Sequence, residues 1–240
     1  MADQVSVGAN MVFGAGFAAV GETRLQGAHI GGDLSLTGGR FTNPAGEAVS
    51  AHGARIAGRL VAGPGFKACG TVGLASAQIG LHLQLDGDLG EHASIALLGG
   101  ISLQATDAHV GGNVTLGQHF STVGQVCLVG ADIKGRVDLN GARLHSDSEA
   151  AFNGSDFQVG GSFVVRSKCD VQGGIHLARA RIGSDLKMSG STIRPAMGVA
   201  ALDADGLTVA GSVDLAADLD APMDVKRRRG VPGARFGRGG

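Results

Sequence analysis

The chain has no Trp and no Tyr, and only five Pro and three Cys in 240 residues; charged side chains make up just 17% of it. Each shortage excludes a class of protein. Cys69, Cys127 and Cys169 are widely spaced, odd in number and never part of a C-x-x-C pair. They do not make a disulfide framework and read as reduced thiols of a cytoplasmic protein. Gly is abundant, 43 of 240, but scarce Pro and the lack of a Gly-X-Y period exclude collagen. A hydrophobic share of 43% excludes a disordered polar chain. The longest apolar stretch, residues 11–20, is interrupted by Gly and too short to cross a bilayer. Met1-Ala2-Asp3-Gln4 has no basic lead into an apolar core, so no signal peptide is expected. Gly, Val, Leu, Ala and Ile dominate, which suits short strands separated by tight turns.

These residues recur in a fixed phrase. Ala28-His29-Ile30-Gly31-Gly32-Asp33-Leu34-Ser35-Leu36 reads A-x-I-G-G-x-L-x-L, and versions of it return along the chain. With the Ile or Val before the Gly pair as anchor, the series is Val7, Ile30, Ile56, Ile79, Val110, Ile133, Val159, Ile182 and Val209. Successive spacings are 23, 26, 23, 31, 23, 26, 23 and 27, so a constant short coil alternates with a variable longer one. The same offsets stay apolar throughout: two residues before the anchor (Ala28, Ala54, Ala77), and four and six after it (Leu34/Leu36, Leu83/Leu85, Val137/Leu139). Pairs such as Val72/Leu74 and Ile175/Leu177 add positions seven and five before. Alternation of period two within each piece marks strands, and no stretch keeps a helical period.

Strands this short cannot stand alone, but stacked coils pair every strand with its equivalents above and below, ~4.8 Å apart. The expectation is an all-β chain: a single-stranded parallel β-helix (solenoid) of about nine coils of 23–31 residues over residues 1–221, followed by a basic Gly/Arg-rich flexible tail, 222–240. A narrow interior explains the Ala column, and sharp corners with positive φ would explain the Gly pairs. Phe17, Phe66, Phe120 and then Cys169 form a second column, expected to stack; Gly21, Gly70, Gly124 and Gly173 follow each by four residues. The excess between Ile79 and Val110, about residues 89–100, is expected to bulge as a loop.

The phrases Gly53-Ala54-Arg55-Ile56 and Gly130-Ala131-Asp132-Ile133-Lys134-Gly135-Arg136-Val137-Asp138-Leu139 resemble pentapeptide-repeat proteins. The G-A-x-I-G-G-x-L-x-L coils also resemble long bacterial repeat proteins often labelled membrane-associated oxidoreductases. The resemblance reaches to about Leu215. It implies a right-handed coil and, through the label, an enzyme or cofactor binder. Coils of 23 to 31 residues exceed the twenty of a pentapeptide coil, so one face should carry the excess.

Chemical motifs are sparse. Gly14-Ala15-Gly16 through Gly21 and Gly63-Pro64-Gly65 through Gly70 echo a dinucleotide loop, but the last Gly comes two residues late and a strand follows. Both segments recur in register and are coil corners. The eight His residues show no zinc spacing; His92 beside Glu91 alone stands out. No G-x-S-x-G occurs, and the inward offsets do not fit a hexapeptide acyltransferase coil. The column three after the anchor (Asn10, Asp33, Arg59, His82, Asn113, Arg136, Ser162, Asp185, Ser212) mixes charges and has no aromatic, so no sugar-binding stripe is read. No catalytic, cofactor-binding or metal residue is assigned, and no cofactor.

Of the 20 Lys and Arg, six lie in residues 226–240, which leaves 14 against 21 acidic residues and a net −7 in the rest. The tail could touch phosphate or an anionic membrane, placing the protein at a membrane periphery. The functional expectation is a non-catalytic scaffold or protein-interaction module in the cytoplasm. Its partner would be another protein, or a second copy met through uncapped coil ends, with no specific nucleic acid. The alternatives are an enzyme of the oxidoreductase-labelled family and a DNA-mimic regulator. Overpacking tests the inward Ala column: Ala131→Phe is expected to destabilise by ~1–3 kcal/mol in thermal or urea unfolding.

Overall fold

A computed structural model describes residues 3–89, 100–166, 168–195, 199–216 and 218–219. Strands line up across successive coils into three long parallel sheets, two of them built from strands of two or three residues. The first face stacks Ser6–Val7, His29–Ile30, Arg55–Ile56 and six further equivalents, up to Thr208–Val209. The second stacks Met11–Val12 through Val213–Asp214, again nine strands in order. Every anchor pairs with the next in register, as Val7 with Ile30 and Ile133 with Val159. The anchors therefore define nine rows and eight turns of a parallel β-solenoid. There is no α-helix among the described residues, and so none to cross a membrane.

The interior follows the expected offsets. Ala28, Ala54, Ala77, Ala108, Ala131 and Ala180 are each 0–1% exposed, and the anchors of rows 2 to 8 are 0–2% exposed. Phe157 occupies the Ala slot in row 7 and packs edge-on to Phe152 and Phe163, with ring centres 6.2 and 5.8 Å away. The expected Phe column is not a direct stack: Phe17 and Phe66 each meet Phe41 of the row between them, at 5.4 and 5.7 Å. Phe120 and then Cys169 fill the later slots of the column, at 0% and 1% exposure.

In the 26-residue coils the third face carries the added length, as strand rather than loop. Longer coils contribute 11-residue strands, Arg40–Ser50 and Arg143–Asn153; shorter ones contribute Lys67–Gly73 and Asp170–His176. The excess is absorbed by shifts of register, between Cys69 and Val72 and between His145 and Phe152. Gly70 and Gly173, both at φ +124°, sit at these bulges. A Cβ on Gly70 would come within 2.7 Å of the Gly46 carbonyl. The expected loop at 89–100 lies almost wholly outside the described residues, as does the basic tail.

The Gly pairs have a different cause from the one expected. Positive φ falls three residues before every anchor, at Gln4, Gly27, Gly53, Ser76, Asp107, Gly130, Asp156, Arg179 and Gly206. Each interior one is the third residue of a β-turn closed by bonds such as Ala28 N–H to Leu25 C=O, 3.1 Å. The Gly pair itself is not left-handed; it marks a close approach of two rows. A Cβ on Gly31 would lie 2.6 Å from the Gly8 carbonyl oxygen, and one on Gly32 would collide with Asn10 Oδ1.

In most rows the second Gly of the pair makes room for a side chain from the row before; at Gly161, which follows Arg136, a Cβ would meet only backbone, at 3.1 Å. The residue three after the anchor reaches over the corner and accepts the next row's equivalent N–H: Asp33 to Asn10 at 2.8 Å, Arg59 to Asp33 at 2.7 Å, Asn113 to His82 at 2.9 Å, Arg136 to Asn113 at 3.0 Å. Gly32, Gly58, Gly112, Gly135 and Gly211 each follow an Asn, Asp or His acceptor, and a Cβ on any of them would strike it. The rows that carry a side chain there, Leu81 and Ser184, follow Arg59, which cannot accept, and Ser162, whose shorter arm accepts at 3.3 Å. Gly135→Ala is therefore expected to cost ~1–3 kcal/mol by overpacking, whereas Leu81→Ala, half exposed, stays within ~0.5 kcal/mol; paired urea titrations check this.

Candidate functional site

Outward side chains on the first face come from one residue before each anchor, because neighbouring residues of a strand point to opposite faces. One residue after the anchor the chain is mostly Gly. A shallow groove of about 760 Å³ results, running along the rod over rows 1 to 6. Its floor is backbone, bare at Gly8, Gly31, Gly80 and Gly111; its wall is the ladder Ser6, His29, Arg55, Gln78, His109, Asp132. Each rung stands about one strand spacing, ~4.8 Å, from the next.

The wall is rich in donors. The one carboxylate, Asp132, is tied to Lys134 at 2.7 Å, and the Arg55 guanidinium has no partner among the described residues. His29, Arg55 and His109 are exposed. The groove is thus donor-lined and cationic on a rod whose sequence outside the tail is net acidic. Arg181 continues the ladder in row 8.

Elsewhere, opposite charges meet across coils. Arg59 pairs with Asp33 at 2.7 Å, Arg179 with Asp156 at 2.6 Å and Arg194 with Asp170 at 2.6 Å, while Lys187 holds Asp185 within its own row at 2.7 Å. Hydrogen bonds from Arg59, first from its side chain and then from its backbone, hold the Asp33 carboxyl below its usual range. The Arg179 side chain does the same for Asp156, and Lys187 followed by the Ser212 N–H for Asp185. The main cause at Asp214 is the Ala216 N–H. Burial, and then the charge of Asp170, pushes the Cys169 thiol up to about 12, so it serves as packing and not as a nucleophile.

The His residues divide. His29 and His109 stand on the groove wall; His82 is a corner acceptor. His52 lies 2.6 Å from Glu47 and accepts the Ala75 N–H at 3.0 Å. His119 faces Asp86 and His145 faces Asp147, both at 3.2 Å. His92 and Glu91 lie outside the described residues. Among the described residues no three His, Cys, Asp or Glu converge as a metal site would require. The two Gly-rich segments are corners: Gly16 and Gly65 have positive φ and lead into Ala18–Val20 and Lys67–Gly73. In the sequence the groove is signalled only by the column before the anchor, whose His, Arg and Gln stand beside a column rich in Gly.

Comparison with protein-family models, curated proteins and solved structures finds no match. The solenoid therefore stands on its own geometry.

The lowered carboxyls fix a sign. A group whose pKa falls on folding stabilises the fold above its unfolded value, about 3.9 for Asp, and that contribution disappears as pH drops through the folded value. The melting temperature is expected to fall below about pH 4, and less in the Asp33→Asn/Asp156→Asn double variant. A thermal scan against pH at low salt checks this, because salt screens exposed pairs.

Proposed function

We propose that the chain is a non-catalytic β-solenoid scaffold whose first face docks an extended acidic segment of a partner protein. The carrying observation is the groove: a bare Gly floor beside a wall of His29, Arg55, Gln78 and His109, with its one carboxylate already neutralised by Lys134. Donors in a row suit a chain laid lengthwise along the rod, and charge complementarity gives specificity and speed of encounter. The reading keeps the cytoplasmic placement that the separated cysteines suggest. A DNA mimic would present unpaired carboxylates, whereas here Arg59, Arg179, Arg194 and Lys187 hold Asp33, Asp156, Asp170 and Asp185.

Fluorescence anisotropy with a labelled poly-glutamate peptide tests it. Binding at low salt is expected, weakened at least about tenfold in Arg55→Ala/His109→Ala and unchanged in Arg143→Ala, whose side chain lies exposed on the third face. No binding would overturn the proposal. So would binding indifferent to the double variant, which would place the contact elsewhere, for example on the basic segment 226–240.

A further inference from the structure

The two end rows of the described solenoid are complementary to each other. On the first face, N–H groups on either side of an anchor donate back to the preceding row: Arg55 to Ala28 at 2.7 Å, Ala57 to Ile30 at 2.9 Å. Row 1 therefore presents the Ser6 and Gly8 N–H groups with no row beneath them among the described residues. Row 9 presents the matching Leu207 and Val209 carbonyls. On the second face the residues four and six after the anchor face the following row, as Leu34 donates to Arg59 C=O at 2.8 Å and Leu186 to Ser212 C=O at 2.9 Å. There row 9 presents Val213 and Leu215 N–H groups, and row 1 the Asn10 and Val12 carbonyls. In a parallel ladder each edge carries both N–H and C=O groups, so the bonding pattern that joins each row to the next also fits row 1 of one copy to row 9 of another.

Side chains agree with this pairing. Val7, Met11 and Phe13 at one end, and Leu207, Val209 and Val213 at the other, are half-buried at offsets that interior rows bury completely. A Cβ on Gly8 would have nothing within 4 Å, whereas one on Gly31, Gly80, Gly111, Gly160 or Gly183 would strike the backbone of the preceding row. The corner rule holds as well. Row 9 offers Ser212, the one short acceptor type that interior rows combine with a side chain at the next corner, as Ser162 with Ser184. Row 1 offers Ala9 at that corner, not Gly.

We infer that a second copy of this chain docks head to tail, row 1 of one on row 9 of the next. Such a contact is heterologous and does not close, so it propagates as an open filament. The contact joins the first two faces of each end row. The side groove stays open in such an assembly, so this contact is independent of the acidic-partner proposal.

Sedimentation velocity on the full 240-residue chain over a wide concentration range tests it. Mass growing with concentration is expected. Ser212→Asn places a longer acceptor against Ala9 and should weaken association at least about tenfold, with an unchanged melting temperature because both positions are exposed. Adding Ala9→Gly should restore it. Gly8→Pro removes a donor that pairs with nothing described in the isolated chain and should also give monomers. A wild-type chain monomeric at all concentrations would overturn the inference, as would association that ignores Ser212→Asn and Gly8→Pro.

Discussion

A two-residue strand can satisfy its backbone only by pairing with the equivalent strand one coil away. That requirement governs the rest of the molecule. Ile56 pairs with Ile30 on one side and Ile79 on the other, and losing either neighbour would strand polar groups above an apolar interior. Because the rows sit about 4.8 Å apart, side chains at the corners compete for space with the backbone of the next row. The Gly pairs, the reach of Asn10, Asp33 and Asn113 over the corner, and the absence of Gly at Leu81 and Ser184 are consequences of that one spacing. Length variation is pushed to the third face, where an added segment can bulge without disturbing the stacking of the other two.

Much of this was legible in the sequence because stacking turns a spatial column into a fixed offset. The Ala column, the anchors and the Leu pairs sit where their spacing puts them, since a buried position in one coil is a buried position in all. The cause of the Gly pairs was not legible from composition. Gly is used here both for left-handed turns, as at Gly53 and Gly130, and for close approach, as at Gly32 and Gly58, and a string of letters does not separate the two. The corner acceptors were visible as a mixed polar column at Asn10, Asp33 and His82, but their meaning appears only when each is read against the Gly of the next row. Phe41 was missed as the bridge between Phe17 and Phe66 because it belongs to the longer coil type and sits at a different offset.

The surface follows from the same economy. Each outward position becomes a ladder, so a binding surface arises when one ladder keeps a consistent chemistry while its neighbours pair off their charges. The row of His29, Arg55, Gln78 and His109 over Gly is such a ladder. The cross-coil pairs of Asp33, Asp156 and Asp170 instead spend their charge on holding rows together. Lateral groove and end rows are separate surfaces on one rod, one suited to an extended partner and the other to a further coil.

Site-resolved amide hydrogen exchange, followed from dilute to concentrated protein, tests the row-to-row account most directly. The account requires slow exchange at Arg55, Ala57, Gln78 and Gly80, whose N–H groups donate to the preceding row, and fast exchange at Ser6 and Gly8 that slows as concentration rises. Fast exchange at the interior positions, or protection of Ser6 and Gly8 that does not depend on concentration, would contradict it.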